Sequence, residues 1–403
     1  MKNKKTLIIF FLVVFICTII GFYVSTSVAT YMLLKENGLG VSKSGVVNAT
    51  KVEIVEGSGK TLHINNVKAY GNSDVAKLKL NAKVYPSNAT NKKVTWSSSN
   101  KELATVDKNG LVTINKKLGT VKITASVNGV KDTYELVLKE KTIVVITASQ
   151  GLRMEKWFNE YTYKDKFLFK STDRNYDKKY CITEKSPNPG NLIYVCESGS
   201  KFNYQHESGV ETAIEQLRKK YRAKEEYVDL TVIFTLTGNE VRNFTCDEIK
   251  YKKAELYDKY TKKYSDAVLK ISREGFESIK GIIMSHSALN SVDAIKNHNN
   301  NNIVYSTDSN ACKSGYRSAY KYWLSNNQMQ KAIERGNYGN IFYLDASSNV
   351  VELVDEKTRE FKWKKDENGT SYRDIYKTTD GLHWNETATK LYMKLAFDSA
   401  KLQ

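Results

Sequence analysis

Two signatures of a metal site are missing from this 403-residue chain. It has no Cys-x-x-Cys, and none of its five histidines pairs with another at ligand spacing. A zinc centre needs ligands grouped in that way, so a metal is the weaker reading and no metal or other cofactor is expected. A dense arginine block is missing as well. Lys and Arg total 62 against 44 Asp and Glu, a net charge of +18, yet the lysines are scattered through every segment. Nucleic-acid binders gather positive charge into a footprint, so no nucleic-acid partner is expected. A diffuse positive field suits an anionic cell envelope or an acidic polymer. Apolar residues are not scarce: 41% hydrophobic and 11% aromatic content excludes wholesale disorder. The length predicts two folded units plus extras.

The chain opens Met1-Lys2-Asn3-Lys4-Lys5, and an apolar stretch runs from residue 7 to about residue 24. Positive residues ahead of such a stretch predict a membrane-spanning helix within residues 1–32, its basic end in the cytoplasm. The alternative is a cleaved signal peptide, with Ser27-Val28-Ala29 as the cleavage site, although the run exceeds the roughly 7–15 residues of a signal core. Either way the remainder is exported. Cys181, Cys196, Cys246 and Cys312 would then lie where disulfides persist. Three pairings are open, and a local Cys181–Cys196 bridge around Ser186-Pro-Asn-Pro-Gly190 is favoured.

After a polar linker at 33–50, residues 51–139 alternate apolar and polar, with turn signals at regular spacing. Leu78-Lys-Leu-Asn-Ala-Lys-Val-Tyr85, Leu111-Val-Thr-Ile114 and Val121-Lys-Ile-Thr-Ala125 are examples. Asn109-Gly110 between two such runs is a hairpin signal, because glycine accepts the positive φ of the turn. The segment predicts a β-sandwich. Tyr85-Pro-Ser-Asn-Ala-Thr90, Val94-Thr-Trp-Ser-Ser-Ser-Asn100, Ala104-Thr-Val-Asp-Lys-Asn-Gly-Leu-Val-Thr113 and Gly119-Thr-Val-Lys-Ile-Thr124 also resemble the bacterial Ig-like domains of the second group. The resemblance implies a spacer or adhesive module. Trp96 is read as a core residue between the sheets.

From residue 140 to 403 the pattern changes. Apolar runs at 143–146, 192–195, 228–236, 279–284 and 341–344 are separated by amphipathic segments at 210–224, 248–271 and 319–335. Short strands alternating with helices predict a parallel sheet covered on both faces, with the working residues at the carboxyl ends of its strands.

Ser149 follows the first of these strands, in Thr147-Ala-Ser149-Gln150-Gly151; it is a nucleophile or, alternatively, the cap of a helix beginning near Gly151. Asn239, in Thr237-Gly-Asn239-Glu, follows the most apolar strand and is an oxyanion donor or a tight-turn residue. Gly199, also after a strand, has no side chain to keep its N–H from a substrate oxygen, or is another turn glycine. Asp380-Gly-Leu-His383-Trp-Asn385 sets a carboxylate and an imidazole three apart before a helix at 387–397; alternatively Asp380 is a turn residue and Asn385 caps that helix. His286 is read as a cleft-wall or buried residue.

Ser149, Gly199, Asn239 and Asp380-x-x-His383 occur in the order of the four blocks of SGNH (GDSL-type) hydrolases, which residues 141–400 resemble. That resemblance implies a three-layer, flavodoxin-like α/β domain. It makes Ser149 the nucleophile, His383 the base and Asp380 the residue that orients His383. The Ser149 N–H, Gly199 N–H and Asn239 side chain would form the oxyanion hole. The first block departs from the family's Gly-Asp-Ser, since Ala148 stands where the Asp would be, and Glu240 likewise replaces an Asp. The implied function is a membrane-anchored, extracytoplasmic serine esterase acting on O-acetyl or other short acyl groups of an envelope polysaccharide; acyl transfer to another sugar stays open. The alternative is a non-catalytic surface adhesion or glycan-binding protein on the same scaffold.

Overall fold

The structure is a computed structural model that describes residues 45–64, 76–147, 167–171, 192–196, 206–235, 241–285, 295–296, 303–304, 312–314, 319–358, 360–375 and 386–400. The chain divides into two compact units. The first comprises residues through Leu62 together with Tyr70–Leu138, the second His63–Ala69 with Lys139–Gln403. Among the described residues no helix is long and apolar enough to cross a membrane. The predicted span at 1–32 lies outside them.

The first unit is built from β1 (Lys51–Ile54), β2 (Gly59–His63), β3 (Ala76–Lys79), β4 (Ala82–Tyr85), β5 (Thr95–Ser98), β6 (Ala104–Val106), β7 (Leu111–Ile114), β8 (Gly119–Val127) and the first part of β9 (Val130–Thr147). Strands β1 and β4 pair antiparallel, as do β3-β7-β6 and β5-β8-β9. Alternation sets the faces: Val121, Ile123 and Ala125 are fully buried, as are Leu136 and Leu138 on the neighbouring strand, while the residues between them turn outward. A two-residue Asn128-Gly129 turn joins β8 to β9, both residues at positive φ (48° and 88°). That twist matches the right-handed twist of the strands it joins.

The predicted Asn109-Gly110 hairpin links β6 to β7. The Asp107 carboxylate accepts the N–H groups of Leu111 at 2.9 Å and Asn109 at 2.8 Å, which holds that carboxyl below its ordinary pKa. Gly110 sits at φ +79°, and a Cβ there would stand 2.5 Å from the Leu80 carbonyl oxygen and 3.0 Å from the Trp96 ring. Trp96 pairs with the fully buried Ala125 on the inward face of β8, as expected of a core residue, although part of its ring stays exposed and the Gly110 turn packs against it.

In the second unit β9 continues into a parallel sheet with β10 (Phe167–Ser171), β11 (Leu192–Cys196), β12 (Val228–Thr235), β13 (Ile279–Met284) and, after the short antiparallel pair β14 (Ile295–Lys296) and β15 (Ile303–Val304), β16 (Ile341–Leu344). The order is β10-β11-β9-β12-β13-β16, every neighbouring pair parallel. Leaving out the edge strand β10, which the sequence reading missed, the order is that of the flavodoxin-like doubly wound sheet. β17 (Val351–Asp355) and β18 (Glu360–Trp363) form an antiparallel hairpin beyond it, also missed.

The helices are α1 (His206–Tyr221), α2 (Ala254–Ser272), α3 (Ala319–Gly336), α4 (Tyr372–Ile375) and α5 (Glu386–Ser399). Helix α2 buries Tyr257, Tyr260, Thr261, Tyr264, Ser265, Val268 and Ile271, the three- and four-residue spacing of one helical stripe. It lies so close to the sheet that a Cβ on Gly281 of β13 would meet Val268 Cγ2 at 2.7 Å. The helix predicted at 248–271 is divided: a π-helical turn, Glu248–Lys252, precedes α2. Thr245 and Glu248 cap that turn reciprocally, with Thr245 N–H donating to Glu248 Oε2 at 2.7 Å and Glu248 N–H to Thr245 Oγ1 at 3.2 Å.

Candidate active site

A doubly wound sheet opens its crevice where the strand order reverses, outside the carboxyl ends of the strands. Here that point lies between β9 and β12. Their last residues are Thr147 and Thr235, both buried, and Thr235 Oγ1 donates to Thr147 Oγ1 at 2.6 Å. On the other side of β9, Cys196 ends β11 in register with Thr147. The hydroxyl pair ties the two strand ends together where both segments leave the sheet.

The predicted site residues follow these strand ends in sequence. Ser149 comes two residues after Thr147, Gly199 three after Cys196, and Asn239 four after Thr235; His383 comes three before α5. Ser149, Gly199, Asn239, Asp380 and His383 themselves lie outside the described residues, as does His286.

One strand beyond β12, after β13, Ser285 ties the same edge together, a role the sequence reading did not assign. It is fully buried after β13, and its hydroxyl accepts the N–H groups of Ala346 at 2.6 Å and Ser347 at 3.2 Å while donating to Asp345 Oδ1 at 3.3 Å. Its carbonyl accepts the Tyr392 hydroxyl of α5 at 2.9 Å. Tyr392 thereby docks the helix that follows Asp380-x-x-His383 against the strand-end edge. Its available signal was a lone tyrosine on the apolar face of a late helix, which reads equally as core. Asp345 also accepts the N–H groups of Ser347 and Ser348 at 2.9 and 3.1 Å, an Asx turn legible in Asp345-Ala-Ser-Ser348.

Other titratable groups serve the frame. His63 meets the Asp229 carboxylate at 2.5 Å, and Lys139 meets it at 3.2 Å. This His–Asp pair, not foreseen from spacing, sits near the amino end of β12, opposite the crevice edge. Partial burial raises the Asp229 carboxyl, but hydrogen bonds from His63, Ser278 and Lys139 outweigh it and hold the pKa below the ordinary value. Lys321 of α3 is fully buried and donates to the Lys313 carbonyl. Desolvation lowers its ammonium to about 8, against a small opposing pull from Glu248. Among the described residues no group of His, Cys, Asp and Glu is arranged to hold a metal ion.

Cys246 and Cys312 form a disulfide, their Cα atoms 4.8 Å apart. Of the three pairings this admits only the one that also joins Cys181 to Cys196; Cys181 lies outside the described residues.

Residues 74–138 match the family model of the bacterial Ig-like domain (group 2), so this segment of the first unit is a domain of that kind. No curated protein matches the chain in sequence. Among solved structures it is similar to a lipase from a goat rumen metagenome (11% identity, 66% of this chain and 100% of that one, TM-score 0.31). It is also similar to a member of the lipolytic G-D-S-L family from Veillonella parvula (12%, 64% and 97%, TM-score 0.27). A third is a carbohydrate acetylesterase from Xanthomonas citri (8%, 77% and 68%, TM-score 0.29). Similarity at that level assigns no activity.

Proposed function

We propose that the second unit is an SGNH-type serine esterase that removes O-acetyl or similar short acyl groups from a cell-envelope polysaccharide. In this reading Ser149 attacks the ester carbonyl, His383 takes the serine proton, and Asp380 holds the imidazole in the required tautomer. The oxyanion would be met by the N–H groups of Ser149 and Gly199 and by the Asn239 amide. A second proton transfer from His383 releases the alcohol, and water then clears the acyl-serine. The observation that carries the reading is the reversal of strand order between β9 and β12, where the buried Thr147–Thr235 pair ends the strands that lead into Ser149 and Asn239.

The N-terminal helix as membrane anchor, with the Ig-like domain as a spacer outside the cytoplasm, completes the proposal. The Cys246–Cys312 bridge supports an oxidising compartment. Fluorophosphonate labelling of the full-length protein tests the chemistry, since only an activated serine reacts. Labelling at Ser149, lost in Ser149→Ala, is the expected result. A chain that resists the probe and turns over no acyl ester would instead be a surface glycan-binding protein on a hydrolase scaffold.

A further inference from the structure

The carboxyl edge of the parallel sheet carries a second recess, away from the β9–β12 crevice. A cleft of ≈ 400 Å³ opens between α3 and the segment from the end of β16 into β17 and past β18. That volume is within the range of small-molecule sites. Trp323, Asn327, Asp345, Ser348, Glu352 and Lys364 line it. Val351 and Leu353 line it as well, so the cleft sets apolar surface beside amides, hydroxyls and carboxylates.

The aromatic is built to stay in place. Trp323 is half-buried and stacks on Tyr320, ring centroids 5.6 Å apart and planes 18° apart. Tyr320 is itself buried, its hydroxyl 3.3 Å from Glu356. The wall behind the cleft is fixed too: Asn326, 5% exposed, donates to Ser347 Oγ at 3.1 Å and so ties α3 to the loop after β16. Lys364 Nζ donates to the Ser348 carbonyl at 2.7 Å. A ligand entering here orders little, and pre-organisation of this sort turns contacts into affinity.

The lining's chemistry selects the ligand. Asp345 and Glu352 set two carboxylates against the single ammonium of Lys364, so phosphates and uronates are disfavoured although the chain as a whole carries +18. A purely apolar ligand would desolvate the carboxylates and amides without satisfying them. What fits is a ring with a flat C–H face for the indole and hydroxyls around its rim for the polar groups. We propose that this cleft is a subsite for an uncharged pyranose ring of a glycan chain, stacked on Trp323. The proposal rests on the reading that the second unit works on a glycan, and it names where that glycan is held. Asp345 directly follows β16, two strand spacings or about 10 Å from β12 across the sheet. A chain of a few sugar rings seated on Trp323 would therefore run along the same edge as the crevice.

Calorimetric titration of the full-length protein with two uncharged tetrasaccharides, cellotetraose and the β1,4-linked tetramer of N-acetylglucosamine, tests this, with tetragalacturonate as the anionic counterpart. Binding of at least one uncharged probe with Kd of about 1 mM or tighter is expected, with the anionic one at least roughly tenfold weaker. Trp323→Ala should weaken binding roughly tenfold or more, and Trp323→Phe, which keeps a face to stack on, about threefold or less. Asn327→Ala, at the cleft margin, should weaken it several-fold and guards against misfolding of the Trp323→Ala protein. The proposal is overturned by no binding of either uncharged probe, by preference for tetragalacturonate, or by folded Trp323→Ala or Asn327→Ala protein that binds like the wild type. Turnover of 4-nitrophenyl acetate by the wild type, measured in parallel, separates the two readings. Binding without turnover keeps the subsite and removes the esterase, whereas turnover without binding does the reverse.

Discussion

The two units are held together by pairings of very different reach. In the first, β8 and β9 match from Gly119↔Leu138 to Val127↔Val130 through a two-residue turn, and β6 meets β7 through Asp107-Lys-Asn-Gly110. In the parallel sheet of the second, every contact is a crossover: Thr147 meets Thr235 across 88 residues, and β13 meets β16 with two minor strands and a helix between them. Local pairing is written in turn chemistry, where a single glycine or asparagine decides the geometry. Parallel pairing carries no such mark; its strands are buried on both faces and read only as short apolar runs. One consequence is that the first unit is vulnerable at its turns and the second at its strand ends, where buried hydroxyls join elements distant in sequence.

The sharpest test of this contrast is functional. If the strand ends of the second unit carry the chemistry, Ser149→Ala and His383→Ala should each lower kcat on 4-nitrophenyl acetate by about 10⁴-fold or more. The double variant should be scarcely worse, because the residues act as a unit. Additive losses, or none, would break the assignment. Next in size is Gly110→Ala, which combines a left-handed backbone with a Cβ 2.5 Å from the Leu80 carbonyl oxygen. A loss of about 2–4 kcal/mol is expected, confined to the first unit's unfolding transition in calorimetry. If both transitions move together, the units are not separable in stability.

Trp96→Ala should cost about 2–3 kcal/mol, somewhat below the roughly 3–5 of a fully buried ring, because the ring faces the buried side of β8 but keeps part of its surface exposed. Denaturant unfolding of the variant decides between these values. Tyr392→Phe, at the opposite extreme of sequence reach, removes one hydrogen bond to the Ser285 carbonyl and should cost about 1 kcal/mol. If Tyr392 positions the helix after His383, kcat falls several-fold while KM holds; unchanged kcat would leave it a packing residue.

The smallest effect concerns pH. The folded pKa of Lys321 is about 8 against the ordinary 10.5. Between these values the unfolded chain binds the proton and the folded one does not, so this group makes stability rise with pH in that window and contributes no slope below it. Against Lys321→Met, which cannot titrate, the wild type should gain relative stability from pH 8 to about 10. Parallel profiles across that window would show that Lys321 stays charged in the folded protein.

What could be read without the fold divides along the same line. The runs at 192–195, 228–236, 279–284 and 341–344 match β11, β12, β13 and β16, and that at 143–146 the end of β9, because strands of a covered parallel sheet are short apolar runs. The edge strand β16 leaves one residue, Phe342, exposed. Strand β10 escaped, since Phe167-Leu-Phe-Lys-Ser171 is short and set among charged residues, and only pairing with β11 makes it a strand. The hairpin β17–β18 escaped for a related reason: Val351-Glu-Leu-Val-Asp355 alternates weakly and leads into exposed turn residues. Near the candidate site, the order of Ser149, Gly199, Asn239 and Asp380-x-x-His383 was legible, while Thr147–Thr235, Ser285–Asp345 and Tyr392 were not. Their hydroxyls have meaning only once their partners are known.

By itself, then, the sequence determined the Ig-like segment, the alternation of strands and helices after residue 140, and the spacing of the motifs behind the strands. These follow from local rules: periodicity, turn residues with positive φ, and burial on one or two faces. Tertiary structure alone decided which strands are neighbours, where their order reverses, that a glycine turn packs against Trp96, and that Trp323 lines a cleft. Each of these depends on two segments brought together across many residues, and the free energy that selects them comes from packing and hydrogen bonding between those segments, which no single window of sequence contains.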